Sequence, residues 1–229
     1  WWRTGRPRGV EAARVMVDGG LYGTASWGMV VALEARTGEE LGRFDPGVPG
    51  WKARQACWDV VNRGVAYHDG RIYVGTIDGR LIALEAKTGT LIWSTQTADR
   101  AKPYTITGAP RIVKDLVVIG NGGADLGVRG FVSAYDAKTG ALAWRFYTVP
   151  ASKDGPHENE ALKQAAATWS PNSMWETGLG GTAWDSMVFD PELDLLYVGT
   201  GNASIYDREK QIGGGSCRET EEIRAAVGD

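Results

Sequence analysis

Ala83-Leu84-Glu85-Ala86-Lys87-Thr88-Gly89-Thr90-Leu91-Ile92-Trp93 is one of three copies of the same pattern in this chain. The other two begin with Ala32-Leu33-Glu34-Ala35-Arg36-Thr37-Gly38 and Ala134-Tyr135-Asp136-Ala137-Lys138-Thr139-Gly140. Because the copies start at residues 32, 83 and 134, the period is 51 residues. A fixed period of this length is typical of stacked or radially arranged structural units.

Each copy is predicted to be a strand, a tight turn and a second strand. Apolar alternation leads to an acidic residue, which can accept from backbone N–H groups in the turn, and a glycine then takes the positive φ that the turn needs. Trp93 and Trp144 each lie four residues after that glycine, whereas Gly42 occupies the matching place in the first copy. The first unit therefore lacks the tryptophan of the other two.

Composition favours an all-β repeat protein. The chain has 229 residues with 32 Gly, 10 Trp and 2 Cys, and enrichment in Gly and Trp with few helical patterns fits this class. The formal net charge of −3 is too small to indicate binding to nucleic acid or to an anionic membrane surface. No apolar stretch is long enough for a transmembrane helix, and no signal peptide is visible.

Several short strands with regular turns in each period indicate either propeller blades or a sandwich. A fixed repeat of four strands favours the propeller. The fold class expected is therefore all-β, a partial β-propeller of about three and a half blades within residues 1–211. A whole propeller has roughly 4–8 blades, so this chain is expected to be part of a larger one. Residues 151–178 interrupt the repeats with a weakly helical segment at 158–167. The tail, 212–229, shows no strand pattern and is expected to be a disordered or truncated end.

Two loops depart from the repeats and carry hard oxygen ligands. The first, 121–130, is rich in glycine and contains Asp125, and the second ends at Asn202. A carboxylate and an amide carbonyl suit Ca²⁺ better than zinc or copper. From spacing alone, the alternative that these are two ordinary surface loops stays open.

Four motifs resemble the pyrroloquinoline quinone (PQQ)-dependent alcohol dehydrogenases, most closely the quinohaemoprotein branch. The resemblance covers roughly residues 8–206, and its motifs come in the same order and spacing as in the family. The four motifs are Gln55-Ala56-Cys57-Trp58-Asp59-Val60-Val61-Asn62-Arg63-Gly64, Tyr104-Thr105-Ile106-Thr107-Gly108-Ala109-Pro110, residues 121–130 and Gly180-Gly181-Thr182-Ala183-Trp184-Asp185. The resemblance implies an eight-bladed propeller with tryptophan-docking repeats and with PQQ and a metal ion on its axis.

The resemblance also implies roles for individual residues. Asp125 and Asn202 match the metal ligands, and Trp184 matches the aromatic floor under the flat quinone. The charge of Arg63 suits a cofactor with three carboxylates. The implied cofactor-binding residues are Glu11, Cys57, Arg63, Thr107, Gly122, Gly123, Ala124, Thr182 and Trp184.

The chain departs from the family pattern at three places. A vicinal disulfide is expected at Cys57 and its neighbour, but Trp58 replaces the second cysteine. Asp125 is one methylene shorter than the family's glutamate. The family's general base, an aspartate, lies beyond the matched region, and no residue after Asn202 matches its motif.

Three of the implied roles have simpler alternatives. Trp184 can be one more packing tryptophan, and Arg63 can pair with Asp59 on a surface loop. Glu11 is followed by Ala12-Ala13-Arg14, which differs from the family's usual sequence.

The resemblance implies an enzyme that oxidises an alcohol to an aldehyde by hydride transfer to metal-bound PQQ. The metal acts as a Lewis acid, and the protein supplies position and electrostatics. Electrons would pass to a cytochrome c, which implies the bacterial periplasm. The alcohol, the choice between Ca²⁺ and a lanthanide, and a following haem c domain stay open. This chain alone is expected to be inactive.

Two other classes remain open. One is a non-enzymatic propeller scaffold of the outer-membrane assembly type, since fold alone does not decide function. The other is a decayed fragment. The PQQ interpretation predicts that Arg63, Thr107, Asp125, Trp184 and Asn202 converge near the propeller axis. It also predicts that the side-chain oxygens of Asp125 and Asn202 lie within roughly 6 Å, a loose bound for two ligands of one cation.

Overall fold

The computed structural model describes residues 10–56, 59–170, 173–178 and 180–204, together with the backbone of Glu221–Arg224. Over these residues the chain runs as short strands joined by tight turns, and three of its sheets have four strands each in sequential order. The first sheet contains β1 (Val15–Val17), β2 (Gly20–Thr24), β3 (Val30–Glu34) and β4 (Glu40–Phe44). The second contains β5 (Ala66–His68), β6 (Arg71–Gly75), β7 (Arg80–Glu85) and β8 (Leu91–Gln96).

The third and fourth sheets continue the plan. The third contains β9 (Arg111–Val113), β10 (Leu116–Gly120), β11 (Phe131–Asp136) and β12 (Leu142–Tyr147). The fourth has three strands, β13 (Met187–Asp190), β14 (Leu195–Val198) and β15 (Glu221–Arg224). In each sheet at least one strand pair is a clear antiparallel hairpin, as the turns of the sequence predict: β1 with β2, β6 with β7, β9 with β10, and β13 with β14.

The predicted helical segment in the long excursion is α1 (Glu160–Thr168). It begins at Asn159, whose side chain accepts from the backbone N–H of Leu162 at 2.9 Å. This bond satisfies one of the donors that a helix start leaves without an intrahelical partner. Short 3₁₀ turns lie at Ser26–Gly28, Gly50–Gln55, Ala124–Leu126 and Trp175–Thr177.

The repeat turn has the geometry that the sequence predicts. Glu34 accepts from the backbone N–H of Thr37 at 2.5 Å, and Asp136 accepts from that of Thr139 at 2.7 Å. The three turn glycines have φ between 71° and 75°. Since a side chain at such a φ is strained, glycine is the residue that suits the turn.

The 51-residue period holds in the strand register. Ala32 pairs with Gly42 and Ala83 pairs with Trp93, and a register shift follows directly after each of these alanines. Gly42 is therefore the structural counterpart of Trp93.

The chain divides into two compact units. Unit 1 is Trp1–Ile119 with Ser133–Trp144, and unit 2 is Gly120–Val132 with Arg145–Asp229. In unit 1, one apolar cluster joins the first two sheets, with Tyr22 and Val30 meeting Ile72 and Leu84. A second cluster joins the second sheet to strands of the third through residues such as Tyr73 and Tyr135. The second sheet thus packs against the first and against strands of the third, as neighbouring sheets in repeat architectures do.

Trp93 packs between neighbouring sheets, as expected for the tryptophan-docking repeats that the resemblance implies. Its indole N–H donates to the carbonyl oxygen of Ala137 at 3.2 Å, and its ring centroid lies 5.8 Å from that of Tyr73. Trp144 is half-buried, and its packing against a neighbouring unit stays a prediction. The described residues contain no helix that is long and apolar enough to cross a membrane.

Two predictions fall largely or wholly on residues that the structure does not describe. Cys57 and Trp58 lie outside the described residues. The expected tail, 212–229, is described only at the backbone of β15, which pairs antiparallel with β14. A strand at this position is a feature that the sequence pattern did not predict.

Candidate functional site

Three predicted cofactor-binding residues are in contact in unit 1. The guanidinium of Arg63 donates Nη1–H to the hydroxyl of Thr107 at 2.7 Å, and its Nη2 lies 3.2 Å from Oε2 of Glu11. The side chain of Arg63 is 16% exposed and that of Glu11 is 48% exposed. Arg63 is thus a nearly buried cation that is held on two sides and still reaches the surface.

Backbone and amide bonds fix the loop that carries Arg63. The N–H of Arg63 donates to the carbonyl of Thr107 at 2.9 Å, and the carbonyl of Arg63 accepts from Ala13 at 3.0 Å. The preceding residue, Asn62, is buried. Its amide donates to the carbonyl of Gly75 at 2.7 Å and accepts from the N–H of Gly64 at 3.0 Å. A charged group held by bonds of this kind is preorganised for a ligand.

Unit 2 brings three glycine-rich segments together by direct backbone contact. The backbone N–H of Gly130 donates to the carbonyl of Gly180 at 2.7 Å. Likewise, the N–H of Gly181 donates to the backbone carbonyl of Asn202 at 3.1 Å, and that of Gly201 to the backbone carbonyl of Thr182 at 2.8 Å. A Cβ on Gly180 would clash with the carbonyl oxygen of Asn202, 2.6 Å away. Only glycine permits so close an approach of two backbones. The segments that carry Thr182 and Asn202 are therefore held side by side.

Asn121 organises the loop that contains Gly122, Gly123, Ala124 and Asp125. It is buried at the end of β10, and its side-chain oxygen accepts from the N–H of Phe131 at 2.8 Å. Gly123 has a φ of 106° and leads into the 3₁₀ turn Ala124–Leu126. Asp125 is an exposed residue of this turn.

An ion pair links the same loop to the segment before α1. Arg129 bonds Glu158 through both carboxylate oxygens, at 2.5 and 3.1 Å, and its side chain is 13% exposed. The hydrogen bond from Arg129 holds the pKa of Glu158 below its usual range. The guanidinium also lies over the ring of Tyr147, 3.9 Å from its centroid.

Trp184 is partly exposed to solvent. The residue is 39% exposed, and its ring lies against Gly201, where a Cβ would be 3.3 Å from the indole Cδ1 and Nε1. Next to Gly201, Asn202 is exposed, and its amide Nδ2 donates to the carbonyl of Ala203 at 2.9 Å. That orientation leaves the amide oxygen as the atom of Asn202 suited to a cation.

The predicted residues thus fall into two contacting groups. Glu11, Arg63 and Thr107 meet in unit 1, and the loop segments bearing Thr182, Trp184 and Asn202 meet in unit 2. Among the described residues, no group of three or more His, Cys, Asp or Glu side chains is placed to hold a metal ion. The predicted approach of Asp125 to Asn202 and the convergence of all five residues remain predictions.

Sequence reasoning gave no separate role to Asn62, Asn121 or Arg129. Each is a polar or charged residue within a motif whose structural function is to bond backbone or to form an ion pair. The signal available in the sequence was an asparagine directly before or within a glycine-containing loop, since a short amide can bond local backbone groups.

The geometry agrees with the comparison with known protein families. Residues 3–211 match the PQQ family described as "Glucose/ethanol/alcohol dehydrogenase, beta-propeller domain". The chain belongs to this β-propeller family. Within the family, it is 61% identical over 208 residues to the quinohemoprotein alcohol dehydrogenase ADH IIB of Pseudomonas putida, covering 91% of this chain and 30% of that protein.

Solved structures of the family share the fold. The quinohemoprotein alcohol dehydrogenase ADHIIG of Pseudomonas putida HK5 superposes with a TM-score of 0.85 at 54% identity, over 87% of this chain and 29% of that one. A europium-containing methanol dehydrogenase superposes with a TM-score of 0.80 at 35% identity, over 93% of this chain and 39% of that one. The partial β-propeller predicted from the repeats is confirmed, and the chain spans about 30% of the length of the relative ADH IIB.

Proposed function

We propose that this chain is the N-terminal part of the propeller of a PQQ-dependent alcohol dehydrogenase and contributes residues that bind PQQ and its metal ion. The observation that supports this most is the 61% identity with ADH IIB over 91% of the chain. The held guanidinium of Arg63 and the indole of the partly exposed Trp184 are the groups that such a cofactor needs. They supply a fixed positive charge for a carboxylate and an aromatic face for a flat ring.

The residues present fit the cofactor. Arg63 would bind a carboxylate of PQQ, with Thr107 and Thr182 as neighbouring hydroxyl or backbone groups and Glu11 as a partner of the quinone. Gly122, Gly123 and Ala124 would wrap the cofactor edge, because their backbone can approach a ligand closely. Cys57 completes the proposed set. When bound, PQQ supplies the acceptor of the hydride from the alcohol, and the protein residues orient it.

A hard cation fits Asp125 and Asn202, but two ligands are few. Ca²⁺ takes about six to eight oxygen ligands, and these two side chains supply one carboxylate and one amide oxygen. We therefore propose that Asp125 and Asn202 would hold the metal together with oxygen atoms that bound PQQ would supply. The same oxygen chemistry suits a lanthanide, and the europium-containing methanol dehydrogenase is a relative that holds one.

The whole enzyme would oxidise a small alcohol and pass its electrons to a cytochrome c in the bacterial periplasm. A relative in Thauera butanivorans is named 1-butanol dehydrogenase (cytochrome c), with 52% identity over 167 residues. No proton-transfer residue of this chain is assigned to the reaction. A haem c domain elsewhere in the full-length protein would agree with the quinohemoprotein relatives.

A binding titration tests this proposal. PQQ is added to the purified chain in the presence of Ca²⁺, and bound PQQ is measured by equilibrium dialysis. Binding that falls in Trp184→Ala and Arg63→Lys but is retained in Arg36→Lys, an exposed residue of the first repeat turn, supports the proposal. Absence of PQQ binding, or equal binding by all the variants, contradicts it. Alcohol-dependent dye reduction is expected to be absent, and clear turnover would show that a general base lies in this chain.

A further inference from the structure

A cavity of about 360 Å³ lies in unit 1 between the outer part of the first sheet and the repeat turn of the second. Apolar side chains from both sheets line it, among them Tyr22, Phe44 and Leu84, and so do Gly42 and the turn residues 85–89. Ligand pockets in proteins typically measure about 300–1,000 Å³ and are mostly apolar. The cavity has the size and lining of a small-molecule site, and none of its lining residues belongs to the proposed PQQ site.

The next repeat shows what fills the equivalent space. Trp93 lies at the position that Gly42 takes in the first repeat. Its ring packs against the turn of the following sheet, where a Cβ on Gly140 would lie 2.7 Å from the indole. One period earlier, a Cβ on Gly42 of the first repeat or on Gly89 in the turn of the second repeat meets nothing within 4 Å. The cavity is therefore the space of one missing indole, with its docking turn still in place.

The docking turn also has a counterpart of the residue that accepts this tryptophan's hydrogen bond. Trp93 donates its indole N–H to the carbonyl oxygen of Ala137 at 3.2 Å. One period earlier, this position is Ala86, which lines the cavity. An engineered apolar cavity of about 150 Å³ in another protein binds the planar molecule benzene. A ring that also carries an N–H donor gains a bond that benzene cannot make.

We propose that this cavity is a binding site for a small planar aromatic molecule with an N–H donor, of the indole class. The ring takes the place that Trp93 has in the second repeat, and the N–H donates to the carbonyl of Ala86. The site is separate from the proposed PQQ site and does not depend on the proposed function.

Indole itself is the probe. Calorimetric titration of the purified chain is expected to show saturable binding of one indole, and thermal melting is expected to show a rise in Tm. Gly42→Trp fills the cavity and is expected to abolish binding while raising the Tm of the ligand-free protein. Gly42→Phe is a second variant that fills the space, in case the tryptophan variant does not fold.

Gly42→Ala is the matched control, because a Cβ at this position meets nothing within 4 Å and leaves most of the cavity open. It is expected to bind indole as the wild type does. 1-Methylindole keeps the ring but lacks the N–H, and it is expected to bind about three- to tenfold more weakly, the range of one net hydrogen bond.

Three results would overturn the proposal. They are no saturable binding of indole by the wild type, binding retained in a folded Gly42→Trp or Gly42→Phe variant, and displacement of indole by PQQ. Equal affinity for indole and 1-methylindole would overturn the bond to Ala86.

Discussion

Arg63 makes two hydrogen bonds to Thr107, one through its side chain and one through its backbone. The guanidinium donates to the threonine hydroxyl at 2.7 Å, and the backbone N–H donates to the threonine carbonyl at 2.9 Å. The two residues are 44 positions apart and come from two of the motifs shared with PQQ-dependent alcohol dehydrogenases. Together, the two hydrogen bonds fix the direction of the Arg63 guanidinium before any ligand binds. This lowers the entropic cost of ordering the side chain on binding.

We expect Thr107→Val to weaken PQQ binding about tenfold. The valine removes the hydroxyl that holds the guanidinium, and a hydrogen bond to a charged group contributes about 1.5–3 kcal/mol. The backbone bond between the two residues is kept, so the fold should be retained. Dialysis of PQQ against both proteins gives the ratio of the Kd values.

Thr105→Val is the matched control, because Thr105 is buried two residues earlier in the same segment. If both valine variants lose affinity to the same extent, the effect is a general loosening of the segment, and the positioning role of Thr107 is wrong.

We expect Ca²⁺ and PQQ to bind with positive coupling, because two side-chain oxygens from Asp125 and Asn202 are too few for the cation alone. PQQ should tighten Ca²⁺ binding, and by linkage Ca²⁺ should tighten PQQ binding by the same factor. Asp125→Ala should remove most of this coupling. Titrations of each ligand with and without the other measure it.

Asp154→Ala removes another exposed carboxylate of unit 2 and should leave the coupling unchanged. Tight Ca²⁺ binding without PQQ, or coupling that survives Asp125→Ala, would rule out the assignment of Asp125 as a shared metal ligand.

Trp93→Ala is expected to lower the free energy of unfolding by about 3 kcal/mol, the low end for removal of a buried aromatic ring, since Trp93 is half-buried. The variant loses the packing of the ring against Tyr73 and the bond to Ala137. Urea denaturation measures the change.

Leu91 lies two residues earlier on the same strand and is 49% exposed. Leu91→Ala is therefore expected to change stability by no more than about 0.5 kcal/mol. A similar loss of stability in both variants would mean that any truncation on this strand is destabilising and that the docked indole has no special contribution.

Two repeat-turn carboxylates, Glu34 and Asp136, should make stability fall in acid, because turn hydrogen bonds hold the pKa of each below its ordinary value. A side-chain hydrogen bond with Thr139, followed by the Thr139 backbone N–H, holds the pKa of Asp136 below its ordinary value. The bonds favour the charged form, so their contribution is complete above the ordinary aspartate pKa of about 3.9. It is lost as the pH falls through the lower pKa of the folded state.

Asp136→Asn is thus expected to be less stable than the wild type at pH 7, and the difference should shrink toward pH 2. Thermal melting over this range measures it. Glu39→Gln, an exposed carboxylate of the first repeat turn, should follow the wild type throughout. A constant difference between Asp136→Asn and wild type at all pH values would exclude this linkage.

Much of the fold could be predicted from the sequence, because short stretches of neighbouring residues determine its turns and strands. The acidic residue, the two polar residues and the glycine of each turn lie within five positions, and the apolar alternation on both sides sets the strand faces. The helix start at Asn159 is local in the same way. The residues of the candidate site were found by resemblance, since no local pattern links Arg63 to a residue 44 positions away.

The sequence by itself determined the repeat, its turns and the absence of a tryptophan at Gly42. Only the tertiary structure decided what these mean for the protein. It placed the docking turn 85–89 beside the space left by Gly42 and made it a cavity. It also brought the backbone of Gly130 to Gly180 and that of Gly181 to Asn202. Such contacts join residues that are far apart in the sequence, and they depend on how the sheets and loops pack. A local sequence pattern does not show which distant residues will come close in space.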